Sequence, residues 1–384
     1  MIKILKIENY KSIESLEIEL GRTNVFIGAN GSGKSNVLEA IAMCSAAALD
    51  QLSNGDLQKR GVRVTRDVHL MRSAFRRQSS AGDIQVSIEA KDGTSFQCSL
   101  KRSNDDLYEK WTNDSVVGTI YAKNWRTWVE TVLREHVQES RGTQVEIEEH
   151  VLDSMVKDKR KPLHIDDFVI FSPEISCLRT FQKEGQIEPL GRRGEGLYKL
   201  LQSYYRTTNL SRLSSIKNSL SMFDWFEDFE IPTESIVDDN RIRLRDRFLD
   251  EKLAWVDQMS SNEGFLFVLF YLCLYSARRT PNFFAVDNID LALNPKLCQR
   301  LILILDDFSK KYRKQSIVTT HNPALIDGLN LNDDRQRLFV VRRNAEGRTV
   351  VERIHKPKPL KGQRSPRLSE LFLQGMIGGL PKNF

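Results

Sequence analysis

The sequence predicts an α/β fold with an antiparallel β lobe near the amino terminus and helical insertions. Three patterns in its 384 residues support this prediction. Apolar and polar residues alternate along residues 2–20 and again along residues 84–100, as they do in half-buried hairpins. Short apolar runs at residues 23–27, 282–286 and 316–319 are typical of buried strands. Helical spacing follows the first of these runs, so strands and helices alternate along the chain.

The composition excludes several classes of protein. The chain has 57 Lys and Arg against 51 Asp and Glu, which gives a net charge of +6. Its longest apolar run, residues 265–275, is shorter than the roughly 20 residues of a membrane span, and no apolar signal segment opens the chain. Five cysteines without a C-x-x-C pair argue against a disulfide framework and a zinc ribbon. We therefore expect a cytoplasmic protein with no membrane partner, and the mild positive charge leaves nucleic acid open as a partner.

Residues 28–35 carry the clearest chemical signal. They read Gly-Ala-Asn-Gly-Ser-Gly-Lys-Ser, fit the pattern G-x-x-x-x-G-K-[ST] in full, and lie between a predicted strand and a predicted helix. Glycines let backbone N–H groups turn toward phosphate oxygens, and the helix N-terminus adds a favourable dipole. We expect Lys34 to reach the β- and γ-phosphates of ATP and Ser35 to ligate Mg²⁺. The predicted nucleotide-binding residues of this loop are Asn30, Gly31, Ser32, Gly33, Lys34 and Ser35.

Two more predicted strands end in polar residues. Asp287 directly follows the apolar run 283–286, and His321 follows the run 316–319. Because the carboxyl ends of parallel strands face the ligand crevice, we predict Asp287 as the second Mg²⁺ ligand. His321 is predicted to contact the γ-phosphate or the attacking water. A turn aspartate and a structural histidine are the alternatives, and the sequence leaves them open.

Together these segments resemble the ABC-type ATPase heads of the RecF, Rad50 and SMC class, and more narrowly the AAA15/AAA21 and OLD-like ATPases. The resemblance covers most of the chain except residues 101–165 and the carboxyl-terminal tail. It is carried by residues 3–12 (Lys-Ile-Leu-Lys-Ile-Glu-Asn-Tyr-Lys-Ser), the P-loop and the helix after it, residues 168–197 at the Q-loop region, residues 260–264 (Ser-Ser-Asn-Glu-Gly) at the signature, residues 284–295 at Walker B and the D-loop, and residues 319–323 at the H-loop.

The resemblance implies a homodimer, or a higher assembly of dimers, in which two heads join head to tail around ATP. The Walker A of one protomer then meets the signature of the other, so nucleotide binding becomes association energy. The resemblance implies that Ser261 and Gly264, as signature residues, contact the nucleotide of the opposite protomer. If the alignment with the family's signature is shifted by one residue, Asn262 takes the place of the serine. A helix N-cap is the alternative interpretation of residues 260–264, and both interpretations can hold.

Two departures from the family pattern bear on hydrolysis. Asn288 stands where the family has the glutamate that polarises the attacking water, and an amide cannot accept a proton. Asp290 is the possible substitute. The signature also departs, because it reads Ser-Asn-Glu-Gly instead of Ser-Gly-Gly or Ser-Asp-Gly. We expect ATP binding with slow or gated turnover, and the predicted catalytic set is Asp287, Asn288, Asp290 and His321.

Four segments are expected along the chain. They are the amino-terminal half of the head with Walker A and the β lobe (1–100), a mainly helical insertion (101–165), the carboxyl-terminal half of the head with the Q-loop region, signature, Walker B and H-loop (166–345), and a basic tail (346–384). Helices are predicted at 126–161, 196–218, 223–229, 264–277 and 295–311, and a loop at 51–80. Basic residues at 310–314 are explained by the helix C-terminal dipole alone.

The resemblance also suggests a biological role. Compact AAA15/AAA21 proteins resemble the ATPase subunits of bacterial anti-phage systems of the Septu, retron-associated and PARIS-like types. The few scattered acidic residues after His321 do not resemble a Toprim nuclease, so we expect a separate effector protein, a nuclease or toxin, that this ATPase restrains. Two alternatives stay open: a RecF-like clamp that binds DNA in repair, and a scaffold that holds ATP without hydrolysing it.

Overall fold

The computed structural model describes residues 1–65, 68–73, 75, 82–102, 111–118, 165–181, 189–206, 210–232, 241–356 and 366–380. Its strands are β1 Ile2–Tyr10, β2 Ile13–Glu19, β3 Thr23–Ile27, β4 Ile84–Ala90, β5 Ser95–Arg102, β6 Trp111–Gly118, β7 Ile170–Phe171, β8 Phe226–Glu230, β9 Arg243–Asp246, β10 Trp255–Asp257, β11 Phe283–Val286, β12 Gln315–Thr320, β13 Gln336–Arg343 and β14 Thr349–Ile354. Its helices are α1 Lys34–Ala47, α2 Asn54–Lys59, α3 Ile175–Thr180, α4 Leu197–Arg206, α5 Leu210–Leu220, α6 Glu263–Ser276, α7 Pro295–Tyr312, α8 Pro323–Ile326 and α9 Leu368–Leu373, with a 3-10 turn at Val68–Met71.

A six-stranded sheet forms the centre of the head, in the order β14-β13-β3-β12-β11-β7. Strands β13, β3, β12, β11 and β7 run parallel, and β14 pairs antiparallel with β13 at the edge. The parallel strands are buried on both faces, which explains why they appear in the sequence as continuous apolar runs. The predicted strands at 23–27, 282–286 and 316–319 are confirmed.

Two hydrophobic cores lie on the two faces of this sheet. Val25 and Ile27 of β3 belong to the core that contains the apolar residues of α6, whereas Phe26 belongs to the core that contains those of α1. Side chains alternate along a strand, so α1 and α6 cover opposite faces of the sheet.

Strands β2-β1-β4-β5-β6 form an antiparallel lobe, and β10-β9-β8 form a small third sheet. The predicted hairpins at 2–20 and 84–100 are confirmed, and so are the helices predicted at 264–277 and 295–311. No helix in the described part of the chain combines the length and the apolar character needed to cross a membrane.

The helix predicted at 223–229 is wrong, because this segment contains strand β8. Phe226 and Phe229 are both buried at a spacing of three residues, which imitates a helix. A register shift between Phe226 and Asp228 in the pairing with β9 adds one residue to the strand. Such a bulge lets residues three apart share one face of a strand, and only the pairing reveals it.

Other segments also differ from their predictions. Residues 196–218 form two helices, α4 and α5, instead of one. The segment 51–80 holds α2, whose N-cap Ser53 accepts a hydrogen bond from the Asp56 N–H, and the 3-10 turn. Strand β6 extends the β lobe into the segment predicted as mainly helical, and β14 extends the central sheet past residue 345. The predicted helices at 126–161 lie outside the described residues.

Candidate functional site

The P-loop, residues 28–35, connects β3 to α1 at the carboxyl edge of the central sheet. Gly33 has a φ of 107°, in the left-handed region, and it caps α1 without a side-chain hydrogen bond. A Cβ at this position would lie 2.1 Å from the Thr349 hydroxyl, so both conformation and space require glycine. The turn leaves the amino end of α1 open toward the loop, which is the geometry that binds anions.

Lys34 is buried beneath this loop, with 5% of its surface exposed. Its Nζ donates hydrogen bonds to the carbonyl oxygens of Gly28, at 2.8 Å, and Ala29, at 3.0 Å. Burial lowers the pKa of Lys34 to about 8, against the opposing influence of Asp287 and Asp290. A desolvated ammonium whose hydrogen bonds within the described residues go to two carbonyl oxygens fits a phosphate group, which would restore its charge balance. The Ser32 hydroxyl is also buried and has no hydrogen-bond partner among the described residues.

Ser35 and Asp287 meet at the carboxyl edge of the sheet. The Ser35 hydroxyl donates to Asp287 Oδ2 at 3.1 Å, and the Thr319 hydroxyl donates to Asp287 Oδ1. Asp287 directly follows β11, as predicted, and Thr319 lies on the neighbouring strand β12. A hydroxyl and a carboxylate are hard oxygen donors, and Mg²⁺ binds to one or two such groups together with phosphate oxygens. The donor set therefore fits Mg²⁺.

Asn288 follows in a left-handed conformation with a φ of 53°. Asparagine is one of the few residues besides glycine that adopt this region readily, so its backbone conformation accounts for the residue type. Its N–H donates to the Thr319 hydroxyl at 2.9 Å, which fixes the turn after β11. No proton-accepting side chain stands at this position.

Asp290 and His321 complete the group at this edge. One carboxylate oxygen of Asp290 is buried and has no hydrogen-bond partner in the described part of the chain. His321 is exposed at the end of β12, and its pKa is lowered by partial desolvation and by the positive charge of Lys34. The imidazole is therefore neutral near pH 7 and can accept or donate one hydrogen bond. The structure brings Lys34, Ser35, Asp287, Asp290 and His321 to one edge of the sheet, as predicted.

The signature segment, residues 260–264, begins α6. The Asn262 side chain accepts a hydrogen bond from the Phe265 N–H at 3.3 Å, so the N-cap interpretation is confirmed. The Ser261 carbonyl accepts from Arg179 at 3.3 Å. A Cβ at Gly264 would lie 2.7 Å from the carbonyl oxygen of Ala292, so glycine allows α6 to pack closely on the loop after β11.

The structure does not bring the signature to the P-loop of the same chain. Helix α1 and helix α6 cover opposite faces of the central sheet. Among the described residues, no hydrogen bond or ion pair joins residues 28–35 to residues 260–264. The predicted contacts of Ser261, Asn262 and Gly264 with a nucleotide therefore require a nucleotide that is bound to the P-loop of another chain.

A buried ionic cluster that was not predicted from the sequence lies next to the P-loop. Glu39 of α1 is 1% exposed and accepts hydrogen bonds from the Tyr10 hydroxyl, at 3.1 Å, from Lys11 and from Arg63 Nε, at 2.5 Å. Arg63 also donates to Asn36 Oδ1 at 3.3 Å. A glutamate in the middle of an otherwise apolar helix was the signal that could have revealed this cluster.

Carboxyl-terminal residues also contact the P-loop, which the sequence analysis did not predict. The carbonyl oxygen of Gly379 accepts a hydrogen bond from the Ala29 N–H at 3.0 Å. Arg343 Nε donates to the Gly31 carbonyl at 2.9 Å, and the Thr349 hydroxyl donates to the Ser32 carbonyl at 3.0 Å. Strand β13, strand β14 and the segment after α9 are therefore all hydrogen-bonded to the P-loop.

The fold and these motifs define an ABC-type ATPase head. In agreement, residues 1–344 match the RecF/RecN/SMC N terminal domain family, and the chain belongs to this family. The match spans the P-loop, the signature segment, Asp287 and His321. The protein is therefore an ATPase of the RecF/SMC class.

Individual relatives are more distant. A stretch of 47 residues is 51% identical to the DNA replication and repair protein RecF of Clostridium perfringens, and it covers 12% of this chain and 13% of that protein. The crystal structure of the SmcHead bound to the C-winged helix domain of ScpA is similar with a TM-score of 0.52 and 15% identity, over 92% of this chain and 97% of that chain. The SMC head domain from Thermotoga maritima gives a TM-score of 0.47 and 16% identity, over 92% and 99% of the two chains. Of these two structures, the SmcHead bound to the C-winged helix domain of ScpA supports the fold described above.

Proposed function

We propose that the protein is an ATP-dependent dimerising switch, in which the P-loop of one protomer and the signature of a second enclose the nucleotide. The observation that carries this proposal is the separation of α1 and α6 on opposite faces of one sheet. A single head therefore offers an open phosphate site and an unused signature, and two heads arranged head to tail supply each other. Binding of nucleotide then stabilises the dimer by mass action.

Each residue at the site has a defined task in this proposal. Lys34 exchanges the carbonyls of Gly28 and Ala29 for phosphate oxygens, which restores the charge balance that burial disturbs. Ser35 and Asp287 hold Mg²⁺, which neutralises phosphate charge when it is bound. Ser261, Asn262 and Gly264 contact the nucleotide of the opposite protomer, with the α6 amino terminus directed at it.

Hydrolysis is slow in this proposal because Asn288 offers no base for the attacking water. Asp290, with one unpartnered carboxylate oxygen, and His321 are the remaining groups that can orient water. The nucleotide-bound dimer is then long-lived, which suits a switch better than a motor.

The Asn288→Glu variant tests this point, with Asn288→Gln as the control of equal length that lacks a carboxylate. Restoring a base is expected to raise the single-turnover rate of ATP cleavage by roughly 100-fold, the usual size of general-base assistance. The Gln variant should stay within about threefold of the native rate. A native rate equal to that of the Glu variant would show that Asp290 or His321 already acts as the base.

We further propose that the dimer regulates a separate effector protein in anti-phage defence, as the AAA15/AAA21 resemblance suggests. An apolar surface beside the signature supports a protein contact there. It consists of the side chains around the β9–β10 hairpin, which are 38–74% exposed: Phe248, Leu249, Leu253, Trp255 and Met259. Apolar side chains clustered in this way mark interaction surfaces more often than isolated ones do.

Co-expression with the products of neighbouring genes, followed by native mass spectrometry, tests the regulatory role. We expect a complex with one further chain that retains nucleotide, and we expect Phe248→Ser/Leu253→Ser to lose that chain but keep the ATP-dependent dimer. Leu210→Ser, at an apolar side chain that is 61% exposed on α5, is the control. A protein that binds no neighbour and binds DNA only with ATP would instead support the RecF-like clamp.

A further inference from the structure

A cavity of about 700 Å³ lies at one edge of the central sheet, and the P-loop lies at the opposite edge. Phe283 and Gln315, the first residues of β11 and β12, line it, and so does Arg22, directly before β3. The P-loop, Asp287 and His321 follow the other ends of the same strands. Strands of four to six residues separate the two edges by roughly 15 Å, so the cavity is distinct from the nucleotide site.

The charged residues that line the cavity are almost all positive. Of the lining residues that the structure describes, seven are Lys or Arg and one, Asp92, is acidic. Four of the basic residues end α7, where the helix dipole already favours cations. The dipole does not account for Arg22, Arg212 and Arg278, which come from three other segments of the chain. The helix dipole therefore explains only part of the positive charge that surrounds this cavity.

Three of the seven cations are occupied by the protein. Lys311 Nζ donates to the Ser215 hydroxyl at 2.6 Å. Lys314 Nζ donates to the carbonyl oxygens of Thr280, at 2.7 Å, and Pro281, at 3.1 Å. Lys310 pairs with Asp306 at 2.6 Å. These three lysines line the cavity and do not need a ligand.

Of the other four cations, three are available to a ligand, and the fourth, Arg212, has partners within the protein. Arg22, Arg278 and Arg313 have no carboxylate partner within the described residues. Arg212 is held in one orientation, because its Nε donates to the Ser276 carbonyl at 3.0 Å and its guanidinium lies over the Tyr312 ring at 5.6 Å. The Tyr312 hydroxyl is buried and has no hydrogen-bond partner in the same part of the chain.

We propose that this cavity binds a small ligand that carries two or more phosphate groups, of about the size of a nucleotide, and that it does so without a metal ion. Arginines from separate segments match several phosphates at once, and each contact is charge-assisted. Cations outnumber carboxylates among the described lining residues, so the side chains of the protein themselves can neutralise the ligand. The volume of this open cavity is within the range of typical small-molecule pockets.

Isothermal titration with sodium tripolyphosphate in EDTA and about 150 mM salt tests the proposal. The full-length Lys34→Ala protein is used, so that the P-loop contributes little binding. We expect saturable binding of one tripolyphosphate per chain, weakened at least about tenfold by Arg22→Gln/Arg278→Gln. Arg313→Asn should also weaken it, and asparagine tolerates the left-handed conformation of Arg313, whose φ is 57°.

Lys252→Gln/Arg300→Gln removes the same charge from two exposed positions outside the cavity and should change the affinity by less than about twofold. Equal weakening by this control pair would overturn the proposal, since general electrostatic attraction would then explain the binding. Absence of saturable binding would overturn it too. So would binding of a 20-nucleotide single strand by a protein that does not bind tripolyphosphate. None of these outcomes depends on whether the protein dimerises with ATP.

Discussion

Helices α1 and α6 have the same length, 14 residues, and cover opposite faces of the same sheet, but different forces hold them. Helix α1 contains two buried charged residues, Lys34 and Glu39, which bond to the P-loop and to the β lobe. Helix α6 buries aromatic and aliphatic side chains from end to end. Its first aromatic residue, Phe265, contacts three aromatic rings with centroid distances of 5.0–5.4 Å.

This difference assigns different tasks to the two halves of the head. A polar network changes its charge balance when an anion arrives, so the α1 side can respond to phosphate. Close apolar packing resists deformation, so the α6 side presents the signature as a rigid platform. A switch needs both: one surface that detects the nucleotide and one that recognises the detected state.

The largest effect is expected on the apolar side. Phe265→Ala removes a fully buried ring from the cluster and should lower the free energy of unfolding by about 4 kcal/mol. Because the P-loop lies across the sheet, the affinity of the surviving folded protein for ATP should change by less than about twofold. Urea unfolding and ATP titration measure the two quantities. A large loss of ATP affinity would contradict this account, because it would show that packing on the α6 face of the sheet controls the P-loop on the α1 face.

The polar side should respond differently to removal of one charge. Glu39→Gln leaves Lys11 and Arg63 without their buried partner and should cost about 3 kcal/mol of stability, with a parallel loss of ATP affinity. Glu17→Gln breaks the exposed pair with Lys6 and should cost less than about 0.5 kcal/mol. Thermal unfolding compares the two variants. Equal stabilities would mean that the buried cluster does not support α1.

Loss of the P-loop ammonium should separate ligand binding from stability. Lys34→Ala removes the charge-assisted contacts to phosphate and is expected to weaken ATP binding roughly 100-fold, about 3 kcal/mol. Stability without nucleotide should not fall comparably, since burial of the ammonium is itself unfavourable. Fluorescence titration gives the affinity. Retention of native affinity would exclude the P-loop as the phosphate site.

The smallest effect concerns pH. Lys34 must be protonated to bind phosphate, and its pKa in the free protein is about 8. ATP affinity should therefore be nearly complete below about pH 7, fall to about half at pH 8, and fall about tenfold between pH 7 and pH 9. The His321→Gln variant should show the same pH dependence of ATP affinity. The pKa of His321 lies below the ordinary 6.5, so this side chain does not titrate between pH 7 and pH 9. A flat profile in the native protein would place the Lys34 pKa above 9.

The nucleotide-binding edge was predictable from sequence because its chemistry is local. Residues 28–35 form one continuous loop, and Asp287 and His321 each follow a strand that is visible as an apolar run. The Asn288 departure was equally visible, although its left-handed conformation was not.

The parts that sequence analysis missed depend on contacts between distant segments. Glu39 finds its partners 24–29 residues away, and Ala29 bonds to Gly379 at the other end of the chain. Strand β8 was mistaken for a helix because the bulge that sets its faces exists only in the pairing with β9. No local pattern specifies such pairings, so the polar network on the α1 side appears only in the structure.

The central claim is that the P-loop of one chain meets the signature of another. Mixing Lys34→Ala protomers, which keep an intact signature, with Ser261→Arg protomers, which keep an intact P-loop, tests it directly by native mass spectrometry with ATP and Mg²⁺. The account predicts that neither variant dimerises alone and that the mixture forms a heterodimer with one nucleotide. ATP-dependent homodimers of Ser261→Arg, or a mixture that stays monomeric although the native chain dimerises, would contradict it.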